Sequence, residues 1–187
     1  MAKSLTLVLG GARAGKSAFA ERLAAQHKRA LFVATAEARD EEMRERIARH
    51  KAARAKHWET LEEPVRVAAA LTKRANAHDA VLLDCLTLWV SNLLTTEPPS
   101  SPEAIAAETQ GLLDAYDRGT ASWIVVSNEV GLGVVPPSEL GRLYRDALGK
   151  VNQRFAARAD KVYLLVAGLA LDLKALGAKP WEQIPST

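Results

Sequence analysis

Five short apolar runs punctuate the chain: Leu5–Leu9, Ala30–Ala34, Ala80–Leu83, Trp123–Ser127 and Val162–Val166. None alternates polar with apolar as a strand with one wet face does. Each is apolar almost throughout, as a strand buried on both sides must be. The stretches between them are longer and rich in Ala, Glu, Arg and Leu, the composition of helices. Strand and helix alternate, which predicts βαβ units: an α/β fold of P-loop NTPase type, with a mainly parallel central sheet flanked by helices. The end of the chain breaks the rule. Only Ala167 and Gly168 separate Val162–Val166 from Leu169–Leu173. That is too short for a crossover, so a hairpin or an edge strand is expected there.

Turn chemistry refines the boundaries. Glu97 to Pro102 reads as a surface loop, with Ser101 capping a helix that has Pro102 in its first position. Pro136 and Pro137 are expected to start a later helix, and residues 175–187 show no period and read as a loosely ordered tail. With 187 residues the chain suits a single domain. The 25 basic and 22 acidic residues leave a formal net charge of +3, too small to argue for nucleic acid. The single cysteine, Cys85, excludes a disulfide framework and any multi-cysteine metal site. No run approaches the roughly 20 apolar residues of a membrane span, and the protein is read as soluble and cytoplasmic.

The candidate chemistry begins directly after the first run. Gly10-Gly11-Ala12-Arg13-Ala14-Gly15-Lys16-Ser17 matches the phosphate-loop pattern G-x-x-x-x-G-K-[ST], with a strand before it and an amphipathic helix, Ser17 to about His27, after it. Glycines let backbone N–H groups turn inward around phosphate oxygens. Lys16 adds a positive charge, Ser17 a ligand for Mg²⁺, and the helix N-terminus its dipole. A partner carboxylate is expected at the end of a neighbouring strand. Asp84, after Val81-Leu82-Leu83, fits that role, and it fits equally as the cap of a helix starting near Leu86.

Residues 40 to 54 read as one helix, with acids in the first turn and bases later. Met43, Ile47, His50 and Arg54 fall on one face, which begins apolar and ends in an imidazole and a guanidinium. Arg46, Arg49, Lys51 and Arg54 surround His50. Neighbouring cations disfavour imidazolium and leave the neutral ring a nucleophile needs. Taken alone, the pattern also describes a half-buried histidine on an ordinary amphipathic helix. His27 and His78 read as structural, and His57 is compatible with either role.

Several blocks now combine. They are Gly10–Ser17, Ala34-Thr35-Ala36, Asp40–Met43 with Arg46-Ile47 and His50-Lys51, Arg54, Trp58, Thr60, Glu62, Leu83–Thr87 with Asn92–Leu94, Ser127–Gly131, Arg145-Asp146, Val151–Gln153 and Ala159-Asp160. Together they resemble the bifunctional adenosylcobinamide kinase / adenosylcobinamide-phosphate guanylyltransferase family of cobalamin biosynthesis. The likeness runs from residue 5 to about 174. Ala14 stands where that family commonly has Ser.

The resemblance implies two reactions. One phosphorylates the hydroxyl of adenosylcobinamide; the other moves GMP from GTP onto that phosphate through a guanylylated histidine, which maps onto His50, with Lys16 as the second catalytic residue. It implies nucleotide contacts from Gly10–Ser17, Ala34, Thr35, Ala36, Lys51, Ala52, Ala53, Arg54, Glu62 and Asp84, with ATP or GTP as phosphate donor. It also implies a Mg²⁺ site at Ser17 and Asp84, and a homotrimer. Guanine N1–H and N2–H₂ need an acceptor pair, for which Glu62 and Asp84 compete. Asn128–Gly133 is expected at the carboxyl edge of the sheet, touching substrate or phosphate, and Arg145, Asn152 and Gln153 are expected to face substrate or a neighbouring subunit. Two simpler readings of the phosphate loop are a small-molecule kinase without a covalent intermediate and a non-catalytic nucleotide switch.

Overall fold

The computed structural model describes residues 2–38, 40–53, 57–74 and 77–184; inside the second helix the side chains of Glu42, Arg46, Arg49, His50 and Ala53 are outside the description. The strands are β1 (Leu5–Gly10), β2 (Ala30–Ala34), β3 (Glu59–Glu62), β4 (Ala80–Asp84), β5 (Ser122–Val126), β6 (Lys161–Val166) and β7 (Leu169–Asp172). The helices are α1 (Lys16–Ala24), α2 (Glu41–Ala53), α3 (Val67–Arg74), α4 (Leu86–Leu94), α5 (Pro102–Arg118) and α6 (Glu139–Arg158). The strands form one sheet in the order β3-β2-β4-β5-β1-β6-β7. All neighbours are parallel except the terminal β6–β7 pair.

The continuous apolar runs have the expected cause. Leu5, Leu7 and Leu9 of β1, Leu31 and Val33 of β2, Val81 and Leu83 of β4, and Trp123 and Val125 of β5 point into one core beneath α3, α4, α5 and α6. Val8, Phe32, Leu82, Ile124 and Val126 point the other way, into a second core with Ala20 and Ala24 of α1. Successive side chains of a strand alternate faces, so a strand covered on both sides carries no polar positions.

The hairpin prediction holds. Ala167 and Gly168, both with positive φ (50° and 81°), turn β6 into β7, the backbone of a type I′ turn. Ser101 caps α5, its hydroxyl accepting from the Ala104 N–H at 3.2 Å, with Pro102 in the first position. Three expectations are corrected. β3 carries the sequence Glu-Thr-Leu-Glu and was missed because an edge strand at the surface needs little apolar character. α6 starts at Glu139 under a Ser138 cap rather than at Pro136; the residue before a proline is pushed out of the helical region, so two successive prolines delay the start. The stretch after β7 is partly regular: Leu176 and Ala178 donate to the Asp172 and Leu173 carbonyls, and Trp181–Gln183 forms a short 3-10 helix.

The start of the phosphate loop is anchored by β6. Gly10 pairs with Leu165 at φ +151°, and a Cβ there would drive into the Leu165 carbonyl oxygen. A side chain would have to adopt a rare backbone conformation and also displace main chain. Gly10→Ala is therefore expected to cost about 2–4 kcal/mol, read as a lowered denaturant midpoint at unchanged slope.

Candidate active site

The order of the sheet assembles the site. Parallel strands end together at one edge, and ligands of open α/β sheets bind in the crevice beyond those ends. At this edge a cleft of about 170 Å³ is lined by Ser17 of α1, Ala34 and Ala36 at the exit of β2, Met43, Ile47 and Lys51 of α2, Glu62 of β3, and Asp84 and Cys85 at the end of β4. Five separate segments of the sequence meet here.

The loop between β1 and α1 has the form its sequence demands. Gly15 sits at φ +95° as the residue before α1, with no side chain capping the helix, which leaves the first N–H groups of α1 without a side-chain acceptor. Arg13 also adopts a left-handed backbone, at φ 59°. Lys16 folds back over the loop and donates from Nζ to the Gly11 carbonyl at 2.6 Å. Gly11, Ala12 and Arg13 are exposed, while Ala14 is buried against the second core. A small residue is what the position of Ala14 accommodates.

Met43, Ile47 and Lys51 share the face of α2 that lines the cleft; Met43 and Ile47 belong to the predicted stripe, and Lys51 joins them one turn further on. Asp40 accepts from the Met43 N–H at 2.7 Å and caps the helix. His50 stands on α2 three residues after Ile47 and one before Lys51; its side chain lies outside the described residues, as does all of Arg54. Ala52 is exposed on the helix, and Ala53 ends it. Lys51 and Glu62 form an ion pair at 2.5 Å. Both are about half exposed, so the pair orients the two groups more than it stabilises the fold.

Beneath the cleft lies a buried polar joint. Thr35 is fully buried, so of the Ala34–Ala36 trio only the alanines line the cleft. Its hydroxyl accepts from the Cys85 N–H at 2.8 Å and donates to the Cys85 carbonyl at 2.7 Å. The Asn92 amide donates to the Thr35 carbonyl at 2.7 Å and to the Pro64 carbonyl at 3.1 Å. One threonine and one asparagine thus tie together the exits of β2, β3 and β4. The Cys85 carbonyl keeps a second donor, the Trp89 N–H. Thr35→Val therefore orphans chiefly the Cys85 N–H, a loss of about 1–3 kcal/mol. Thermal denaturation should show that loss largely absent in Thr35→Ser, which retains the hydroxyl.

Asp84 does not cap α4: the capping position is Cys85, which makes no side-chain cap hydrogen bond. Burial, reinforced by the Asp84 carboxylate, pushes the Cys85 thiol up to about 12, so it stays protonated and packs instead of reacting. His78 is buried, with Nδ1 against the Arg74 carbonyl and Nε2 against the Glu59 carboxylate, each at 3.1 Å. It ties α3 to β3, the structural role expected of it. Burial lowers the pKa of His27.

A second network holds the loop after β5. The Ser127 hydroxyl donates to Asn152 Oδ1 at 2.6 Å, and Asn152 Nδ2 donates to the Asn128 carbonyl at 3.0 Å. The Asn128 N–H donates to the Thr87 hydroxyl at 2.9 Å. Asn152 is buried within the fold, which corrects the expectation that it faces substrate or a neighbouring subunit. Arg145 pairs with Asp146, and Gln153 borders a larger apolar cavity of about 610 Å³ between α5, α6 and the C-terminal turns, away from the phosphate loop.

A phosphate loop running from strand into helix, with a serine and a strand-end aspartate on one cleft, defines a P-loop-like protein of the α/β class. Comparison with known proteins then narrows the class. Residues 6–173 match the profile of the cobinamide kinase / cobinamide phosphate guanyltransferase family, and the chain belongs to that family. It is 48% identical over 169 residues to the bifunctional adenosylcobalamin biosynthesis protein CobP of Pseudomonas aeruginosa, covering 90% of this chain and 96% of that one. It is 41% identical over 180 residues to the bifunctional adenosylcobalamin biosynthesis protein CobU of Salmonella typhimurium, and 39% identical over 180 residues to that of Escherichia coli, covering 91% of this chain and 99% of theirs in both cases. The chain is thus a bifunctional transferase of cobalamin biosynthesis, a cobinamide kinase and a cobinamide phosphate guanylyltransferase. Among the described residues no helix is long and apolar enough to cross a membrane.

Proposed function

We propose that the strand-end cleft is the nucleotide site for both reactions and that GMP transfer proceeds through a phosphoramidate on His50. The carrying observation is the meeting on one cleft of Ser17 beside the phosphate loop, Asp84, Glu62 and the α2 residues that flank His50. In this reading GTP lies with its phosphates on Gly10–Ser17 and its base toward α2 and β3. The imidazole attacks the α-phosphorus, and the bond to the bridging oxygen breaks. Its electron pair leaves with pyrophosphate, which the loop amides and Lys16 receive. The phosphate of adenosylcobinamide phosphate then displaces the histidine. Two displacements let one small cleft serve a bulky second substrate in sequence.

Ser17 and Asp84 offer the hard oxygen donors that Mg²⁺ prefers, and Mg²⁺ held there would neutralise charge on the triphosphate. Glu62, already turned into the cleft by Lys51, is the better placed acceptor for guanine N1–H and N2–H₂, leaving Asp84 to the metal. ATP or GTP supplies the γ-phosphate for the kinase step. A cytoplasmic location, where nucleoside triphosphates are plentiful, belongs to the same reading. A homotrimer is part of the same reading, supported by exposed Leu132 and Val134 in the loop before α6 and by Val166 and Leu169 at the β6–β7 hairpin, because exposed apolar patches mark contact surfaces.

The test is incubation with Mg²⁺ and GTP labelled at the α-phosphate, followed by denaturation. Label should stay on the chain through a bond that acid cleaves and alkali spares. A chain that binds GTP yet remains unlabelled rules out the covalent route.

A further inference from the structure

Sheet order gives one residue a position that neither the phosphate loop nor the cleft accounts for. β5 lies between β1, which ends in the phosphate loop, and β4, which ends in Asp84. The residues leaving β5 therefore emerge between the loop and the aspartate. Glu129 is one of them, and its placement is tightly determined. Its N–H donates to the Gly10 carbonyl at 3.2 Å, and the preceding residue is held through the Asn128 N–H by Thr87 of α4. The main chain is thus tied to the phosphate loop on one side and to the helix following β4 on the other.

The side chain is equally constrained. Glu129 Oε1 accepts from the Gly131 N–H at 2.9 Å, and a Cβ on Gly131 would stand 3.0 Å from that same oxygen. A side chain at Gly131 would oblige the carboxylate to shift by a few tenths of an ångström. Neighbouring acids have other attachments: Glu62 pairs with Lys51, and Glu63 accepts from the N–H groups of Val65 and Arg66. Among the described residues, the Glu129 carboxylate takes a backbone N–H from its own loop on Oε1, and its oxygens keep further lone pairs for a proton.

The two reactions differ in the acceptor they use. In the kinase step the acceptor is an alcohol, whose proton must be lost as its oxygen bonds to phosphorus. In guanylyl transfer the acceptor is a phosphate monoester, with a second pKa of about 6, so it is already anionic at neutral pH. Only the first reaction needs a base. We propose that Glu129 is that base and serves the kinase half alone. The alcohol oxygen bonds to the γ-phosphorus, and the bond from that phosphorus to the bridging oxygen breaks. The electron pair leaves on the nucleoside diphosphate, while the alcohol proton passes to the Glu129 carboxylate and from there to water. The inference rests on the kinase activity of the family and is independent of the histidine intermediate.

Glu129→Gln tests this with little structural change, because the amide oxygen still accepts from the Gly131 N–H. Two rates are measured on the full chain: phosphorylation of adenosylcobinamide, and GMP transfer from GTP to adenosylcobinamide phosphate supplied directly. The kinase kcat is expected to fall about 10²-fold or more while GMP transfer stays within about threefold of wild type. Gly131→Ala, which crowds the carboxylate without removing it, should lower the kinase rate selectively in the same way. Glu129→Asp, a shorter base, should recover part of the rate lost in the Gln variant. Equal loss of both activities in Glu129→Gln would make the residue a support of the loop and overturn the proposal, as would an unchanged kinase rate. Because GMP transfer is measured directly, failure of His50 labelling leaves this result readable.

Discussion

His50→Ala is expected to abolish GMP transfer, lowering it on the order of 10⁴-fold or more, and to abolish labelling of the chain from α-labelled GTP. Phosphorylation of adenosylcobinamide should persist within about tenfold, since no step of the kinase reaction uses the imidazole. The size of the effect follows from the role. A nucleophile that forms the intermediate is not readily replaced: among the described residues of the cleft, Lys51 is held by Glu62 and the Cys85 thiol is kept protonated by burial. The sequence around His50 is basic, with Arg46, Arg49, Lys51 and Arg54, a charge that suits a triphosphate substrate. Activity assays for both steps, run beside the labelling experiment, decide the matter. A His50→Ala chain that still takes up label would place the nucleophile elsewhere.

Lys16→Ala is the second large effect, and it should strike both reactions together. In the proposed scheme a nucleoside diphosphate leaves in the kinase step and pyrophosphate in GMP transfer, and Lys16 would meet the charge that grows on either leaving group. The side chain is already drawn over the loop by its bond to the Gly11 carbonyl, so little reorganisation separates the resting position from the working one. Removing one such preorganised donor costs about 10²- to 10³-fold in kcat, or about 2.7–4 kcal/mol. Lys16→Arg should rescue poorly, because a planar guanidinium cannot replace a compact ammonium in so tight a turn. Parallel measurement of kcat/KM for both substrates is the check. A loss confined to one reaction would mean that the two triphosphates do not share the loop. Set beside the selective loss expected for Glu129→Gln, these variants sort the site into a shared part and two private parts.

Much of this site was legible before any coordinates. The phosphate loop needed only its own residues, because a left-handed turn demands Gly15 and close approach to β6 demands Gly10. The apolar start of the α2 face was legible because helical spacing is a local property, and Met43 and Ile47 reach the cleft as that spacing requires, while Lys51 beside them was placed there by the structure. Thr35 shows where local reading stops. It stood beside two alanines that line the cleft, yet its side chain is the clamp beneath them. Asn152 was legible as a distinctive polar residue on a helix, but its partners are Ser127 and Asn128, more than twenty positions away.

The amino-acid sequence by itself determined the five apolar strands, the alternation that makes the sheet parallel, the closing hairpin and the phosphate loop. All of these follow from short-range patterns: burial on two faces, turn geometry and glycine. Tertiary structure alone decided that Glu-Thr-Leu-Glu is an edge strand and that β5 inserts between β1 and β4. It also decided which carboxylates share a cleft with Ser17 and that the backbone of Glu129 is tied to Gly10. Strand order is settled by packing between residues far apart in the chain, and every βαβ unit is compatible with more than one neighbour. The chemistry of each residue was therefore readable early, while its role waited on which strand lies next to which.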